Sequence, residues 1–339
     1  MAARVPSSVH GNISRRAVLY GAALAAGLRG APALAGEAAW PSKPIRIIAA
    51  QAPGSSNDTT ARALADWFTQ QLGVPVIVEN RAGGVSMIAA TAVAKANPDG
   101  YTLLIALNSQ LAQAPVLLRK APIDVDKDLV PIASIGLGPI TVAAHKNFPV
   151  HSIEELMAYA KKKPVNAGSY AIGSGWQLML TEIIKTTGAQ FNIVNYKGSG
   201  PMLIDLYSGS VDIGAASLTA LGGAIEHGTV RPLLVFTRQR SSRLPAVPTW
   251  AEVGFTGPAF QDLEETNVLF APAGTPAHIL ERVGELVARS FTESSRMKAV
   301  NDLMAEDQPP LTGAAARKFI DRTWPIYRQL TKGLGLAES

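Results

Sequence analysis

Three loops in this 339-residue sequence combine glycine with small polar residues, each after an apolar strand-like run and before a helical one. The first is Pro53-Gly54-Ser55-Ser56-Asn57-Asp58. The second runs Gly168-Ser169-Tyr170-Ala171-Ile172-Gly173-Ser174, and the third is Tyr196-Lys197-Gly198-Ser199-Gly200. A helix start carries N–H groups without an intrahelical acceptor and roughly half a positive charge, so it holds an anion without any cationic side chain. Glycine lets backbone approach a ligand closely, and Ser or Asn adds hydroxyl and amide hydrogen bonds. Any one of these loops alone reads as ordinary helix capping. Several together, in a chain without catalytic signatures, point to capture of a small carboxylate.

Those signatures are missing one by one. Ser174 and Ser199 are preceded two positions earlier by Ile172 and Lys197, so neither sits in a Gly-x-Ser-x-Gly nucleophile elbow. No glycine-rich run ends in Lys-Ser or Lys-Thr as a phosphate-binding loop would, and Gly173-Ser174-Gly175 lacks the third glycine of a dinucleotide fingerprint. His145, His151, His227 and His278 show no metal spacing and belong to no recognisable triad. No metal and no cofactor is expected. A periplasmic serine hydrolase using Ser174 or Ser199 is the competing enzymatic reading, and it lacks a histidine base.

These loops need a scaffold, and the sequence supplies one. Ile45–Ala50, Val76–Val78 and Leu103–Leu107 read as short buried strands, separated by an amphipathic helix ending at Gly73 and an alanine-rich helix over Met87–Ala96. The alternation resumes with strands at Ile132–Ile135, Ile140–Ala144, Asn166–Ser169, Phe191–Val194, Val211–Ala215 and Leu233–Phe236. Helices are expected from Ser152 to about Lys161, over Ser174–Thr187 and from Pro201 to Gly209. A connection at Gln239–Gly257, a strand at Val268–Ala271 and two long helices, Pro276–Leu303 and Thr312–Thr331, finish the chain. Such βαβ alternation argues for an α/β fold with a parallel-rich mixed sheet in each of two lobes, the ligand lying at the carboxyl ends of the strands.

Composition narrows the setting. The chain is 47% hydrophobic and 17% charged, which suits packed cores rather than disorder, and the absence of cysteine excludes disulfides and a lipidated N-terminal cysteine. The formal net charge of +5 is concentrated in residues 1–35, which hold Arg4, Arg15, Arg16 and Arg29 and no acid. The rest is near neutral, so nucleic acid is not an expected partner. Arg15-Arg16, the apolar run Ala17–Leu28 and Ala33-Leu34-Ala35 read as a twin-arginine export signal over residues 1–35, cleaved near Ala35. The mature chain is then expected in the periplasm, soluble and monomeric.

Beyond this point the residues resemble a known family. Pro41-Ser42-Lys43-Pro44-Ile45-Arg46, Pro53-Gly54 with Asp58, Val78-Glu79-Asn80-Arg81 and Asn97-Pro98-Asp99-Gly100-Tyr101-Thr102-Leu103-Leu104 are similar to the Bug proteins, periplasmic receptors of tripartite tricarboxylate transporters. Tyr196-Lys197-Gly198-Ser199 with Asp205, Gly209-Ser210-Val211-Asp212, Val247-Pro248-Thr249 and Ala271-Pro272-Ala273-Gly274-Thr275-Pro276 continue the resemblance in order. It implies a clam-like type II periplasmic binding fold, with 36–139 plus 260–339 in lobe one and 140–259 in lobe two. It also implies capture of a small organic carboxylate (a di- or tricarboxylate, or an aromatic acid) for delivery to membrane permease subunits; a receptor feeding a membrane sensor kinase would look the same. The ligand-binding candidates are Pro53, Gly54, Ser55, Ser56, Asn57, Asp58, Ser169, Tyr170, Ile172, Gly173, Ser174, Trp176, Tyr196, Lys197, Gly198, Ala216 and Ser217. Two departures bear on the ligand. Gly175-Trp176-Gln177 replaces a small-polar stretch and His of the family, and Trp176 could line a pocket for an apolar or aromatic ligand body or pack on the helix or over the lobe surface. Thr266-Asn267-Val268 stands where the family often has Trp-Phe-Gly, and the preceding acids Glu264-Glu265 could face a cationic ligand group or lie in a solvated loop.

Overall fold

A computed structural model describes residues 1–2, 40–137, 139–237, 239–261, 263, 265–304 and 308–333. By internal contacts the chain divides into Met1–Trp40 and Pro41–Ser339, and all described strands and helices lie in the second unit. Apart from Met1 and Ala2, the expected export signal lies outside the described residues.

The chain begins with β1 (Ile45–Ala49), α1 (Ser56–Leu72), β2 (Val76–Asn80), α2 (Met87–Ala94) and β3 (Thr102–Leu107). Next come α3 (Asn108–Leu117), the short α4 (Val125–Asp128) and β4 (Leu129–Gly136). A crossover leads to β5 (Ile140–His145), α5 (Ile153–Ala160), β6 (Val165–Ser169), α6 (Gly175–Thr187), β7 (Phe191–Asn195), α7 (Ser199–Ser208), β8 (Ile213–Ser217), α8 (Leu218–Glu226) and β9 (Val230–Val235). The chain returns through α9 (Pro258–Gln261) to β10 (Thr266–Pro272), α10 (Ala277–Glu293), α11 (Ser295–Met304), β11 (Leu311–Thr312) and α12 (Gly313–Gly333).

Two mixed sheets result, and the architecture is a two-lobed α/β fold. The first has the order β11-β4-β10-β3-β1-β2 and the second β7-β6-β8-β5-β9. In each, a parallel trio (β2, β1, β3 and β7, β6, β8) is linked by helices in βαβ fashion. The antiparallel strands lie where the chain changes sheet: β10 runs between β3 and β4, and β5 between β8 and β9. Every residue of β10 is buried, because it crosses the centre of its sheet with helices on both faces.

Four helices were not foreseen, and one expected helix is two. The sequence of α3 opens on Asn108-Ser109-Gln110 and contains Pro115, which hides its period, yet those polar residues are buried. In α8, Gly222-Gly223 lowers intrinsic propensity, and tertiary packing overrides it. The long helix expected over Pro276–Leu303 breaks at Ser294, whose backbone is extended and whose Oγ accepts from Met297 N–H at 3.1 Å to start α11. The α4 and α9 segments are single turns too short to leave a periodic signal.

Candidate functional site

Between the two sheets, beside both crossovers, lies a cavity of about 210 Å³ including its mouth. Its walls are Ser56 and Leu107 from one lobe, Tyr170, Ser199, Ala216 and Ser217 from the other, and Leu137, Ile140 and Glu265 at the crossovers. Among the described residues no lysine or arginine lines it. A second space of about 250 Å³, lined by Ile135, Val287, Phe291 and Met297, lies within the first lobe away from the three loops.

Four of the described helices, α1, α3, α7 and α8, begin at the cavity without a side-chain cap, α3 directly after Leu107 of its wall. The first is α1. There Ser55 turns its Oγ to Ala52 O at 2.6 Å instead of capping. Asp58 turns its carboxylate back to Gly54 N–H at 3.0 Å and outward to Arg62 and Asn80. Burial alone would raise the Asp58 carboxyl, but the bonds from Arg62, Gly54 N–H and Asn80 outweigh it and hold it below the usual range. At α7 the residue before the helix is Gly198, and at α8 it is Ser217, again with no side-chain cap bond. Ser199 Oγ and Ser217 Oγ are buried and find no hydrogen-bond partner among the described residues. A buried hydroxyl left unsatisfied costs about 1–3 kcal/mol, so both are poised to bond something placed in the cavity.

The second loop leads to a different arrangement. Ser174 caps α6, its Oγ accepting from Gln177 N–H at 3.2 Å, while Gln177 Oε1 accepts from Gly173 N–H at 2.7 Å. Ser169 Oγ is spent within the loop, on Ala171 O and on Ser174 Oγ, both at 3.0 Å. Gly175 N–H, the first of that helix, donates to Glu265 Oε1 at 2.7 Å, and Tyr170 OH donates to Glu265 Oε2. Burial pushes the Glu265 carboxyl up, opposed by the bonds from Tyr170 and Gly175. Burial, followed by the neighbouring carboxylate, drives the Tyr170 hydroxyl up as well, so it stays a proton donor.

The other candidates divide clearly. Pro53 and Gly54 are exposed at the rim, and Ala52 N–H donates to Lys197 O at 3.0 Å, so the first and third loops touch across the cleft while the Lys197 side chain faces solvent. Gly200 fits beneath Pro53 because it lacks a side chain; a Cβ there would come within 2.7 Å of Pro53 O. Gly173 is buried against α3, its carbonyl accepting from Gln113. Asn57 is buried and donates to Asn267, which in turn bonds Thr60 Oγ1 at 3.0 Å. Tyr196 donates to Asp205 at 2.6 Å, and burial together with that carboxylate pushes its hydroxyl up to about 12.

Two candidates point elsewhere. Ile172 is exposed. Trp176 is 1% exposed inside its lobe, with Nε1 donating to Gly168 O at 3.0 Å and its ring against Phe236, so it is a core residue and not a cavity wall. Glu264 lies outside the described residues. Leu107, Leu137 and Ile140 were not anticipated in the cavity wall, since apolar strand ends carry no local signal. Glu265, Thr266 and Asn267, at the departure from the family pattern, fix three helix starts in succession. Glu265 meets α6, Thr266 N–H donates to Asn108 Oδ1 of α3 at 3.0 Å, and Asn267 holds the first turn of α1.

Comparison with known proteins agrees with this geometry. Residues 60–321 match the tripartite tricarboxylate transporter family receptor. Protein BugT of Bordetella pertussis is 37% identical over 270 residues, covering 78% of this chain and 80% of its own. Among solved structures, R. palustris Rpa4515 with adipate is 28% identical, with a TM-score of 0.80, covering 88% of this chain and all of its own. The periplasmic binding protein BugD is 26% identical with a TM-score of 0.81 over the same shares. The fold is that of solute-binding proteins, not of an enzyme.

Proposed function

The chain belongs to the tripartite tricarboxylate transporter receptor family, and from that premise we propose that it captures a small organic carboxylate between its lobes and delivers it to membrane permease subunits. The observation that carries the reading is the cavity, where the uncapped starts of α1, α7 and α8 meet the unsatisfied hydroxyls of Ser199 and Ser217 with no cationic side chain in the wall. Each helix start offers unpaired N–H donors and a fraction of a positive charge, worth up to about 2 kcal/mol for a partly buried anion. A carboxylate seated there bonds Ser56 of one lobe and Ser199 and Ser217 of the other. It therefore stabilises the closed arrangement by its difference in affinity between closed and open states. The location we propose is the periplasm, reached with the signal over residues 1–35 and cleavage near Ala35. The relative with adipate bound supports a carboxylate as the ligand class.

A thermal-shift screen of the purified protein against small carboxylates and their amides tests this. A ligand at about 100 times its Kd adds about 2.7 kcal/mol, a shift of several degrees at this size. The expected result is a shift with an acid and none with its amide. Equal shifts with both, or none with any acid on protein stripped of co-purified ligand, would refute carboxylate capture.

A further inference from the structure

We propose that Glu265 occupies, from within the chain, the place that a second ligand carboxylate would take, and so makes this receptor selective for acids with a single carboxylate. The inference rests on the carboxylate-binding reading above and narrows it. Among the helices that begin at or beside the cavity, α1 carries Asp58 in its own first turn, whereas at α6 the carboxyl on the first backbone N–H comes from a distant part of the chain. Glu265 Oε1 accepts from Gly175 N–H at 2.7 Å and Oε2 from Tyr170 OH, so both oxygens are engaged as a bound carboxylate's would be. The fit is close: a Cβ on Gly175 would lie 3.1 Å from Oε1, and the bare glycine is what lets the carboxyl reach the backbone.

The unsatisfied donors lie on the other wall. Ser199 Oγ and Ser217 Oγ, both buried, line the same cavity and have no partner among the described residues. One carboxylate is therefore already seated inside the protein, and one set of donors is left for the ligand. A dicarboxylate entering with one end on Ser199 and Ser217 would bring its other end toward Glu265. There it meets a carboxyl that already holds the Gly175 and Tyr170 donors. Apart from Ser56, the rest of the cavity wall is Leu107, Leu137, Ile140 and Ala216, which suits an apolar ligand body.

The test is titration calorimetry with acids of equal chain length, pentanoate against glutarate and hexanoate against adipate, on the wild type, Glu265→Ala and Glu265→Gln. The wild type is expected to bind the monoacid at least tenfold more tightly than its diacid. Glu265→Ala frees Gly175 N–H and Tyr170 OH and is expected to reverse that order. Glu265→Gln keeps the shape without the charge and is expected to retain a preference for the monoacid, reduced several-fold. Diacid binding by the wild type as tight as monoacid binding overturns the proposal even if neither variant folds. An unchanged ratio in Glu265→Ala, with native circular dichroism, also overturns it. Absence of binding by every acid to the wild type refutes carboxylate capture itself, whereas tight diacid binding leaves that reading intact and removes only the role of Glu265.

Discussion

The starts of α1 and α6 are written in nearly the same residues and end in opposite states. Each follows a glycine-serine loop after a parallel strand, with serine at the cap and a polar residue three positions on, Asp58 in one case and Gln177 in the other. At α6 Ser174 caps Gln177 N–H, Gln177 reaches back to Gly173 N–H, and Glu265 accepts from Gly175 N–H. At α1 Asp58 still reaches back to Gly54 N–H while also holding Arg62 and Asn80, but the serine half is missing, because Ser55 bonds its own loop carbonyl instead of capping. Competition for the capping side chains decides whether a helix start is finished within the protein or left for a ligand.

The largest effect should come from preventing the two lobes from meeting over the open start. In Gly200→Val a Cβ would fall 2.7 Å from Pro53 O, against backbone that has little room to yield. Ligand affinity is expected to fall 100-fold or more, about 2.8 kcal/mol, while thermal stability without ligand changes little. Calorimetry and small-angle scattering check both parts. Undiminished affinity would mean that the first and third loops need not touch in the bound state.

Proline at the glycine of each loop separates the two starts. Gly54 and Gly173 have φ of +79° and +73°, which proline cannot adopt, and each donates its N–H, to Asp58 and to Gln177. Gly54→Pro distorts the open start and is expected to weaken binding by about 30-fold or more. Gly173→Pro strikes a buried, braced loop beside Gln113 and is expected to cost stability first, about 3 kcal/mol on unfolding in urea. The same ranking of the two variants in both assays would erase the distinction between the starts.

Smaller again is the loss of one hydroxyl. Ser217→Ala or Ser199→Ala removes a hydrogen bond to a charged ligand and is expected to weaken binding by about 10-fold. Unliganded stability should hold or rise slightly, since each hydroxyl is unsatisfied now. Ser174→Ala, which removes the N-cap of α6, should do the reverse: about 1 kcal/mol of stability lost and binding nearly kept. Parallel melts and titrations of the three variants decide it.

This contrast also marks what could be read in the sequence. The strand–helix alternation, the two lobes and the three glycine-serine loops were legible because each rests on local pattern: buried β-branched runs, Gly73 as a helix stop, serine as a cap. Local pattern could not tell a spent loop from an open one. The residue that completes α6 is Glu265, 90 positions away along the chain, and the one that anchors Asn57 is Asn267, 210 away. Trp176 reads from sequence as a pocket wall or a cover on the helix or lobe surface, and its burial against Phe236 follows from a fold no window of sequence displays. The cavity's apolar wall, Leu107, Leu137 and Ile140, consists of strand ends and a crossover that look like any other core residue.

The smallest effect, and the sharpest in sign, comes from the two carboxylates attached to these starts. Asp58 is held below its ordinary range, so the stability it contributes is present above the unfolded value of about 3.9 and is lost as pH falls through its lower folded value. Glu265 is shifted the other way by burial, so its contribution is present below the unfolded value of about 4.3 and is lost as pH rises through its higher folded value. Urea unfolding from pH 3 to 8 should therefore show two opposite differences from the wild type. Asp58→Asn should be less stable than wild type near neutrality, with the gap closing toward pH 3. Glu265→Gln should gain on the wild type as pH rises above about 4.3. Two gaps of the same sign would mean that one carboxyl is not held as described, and a gap for Glu265→Gln that stays constant with pH would mean that its burial is relieved in solution.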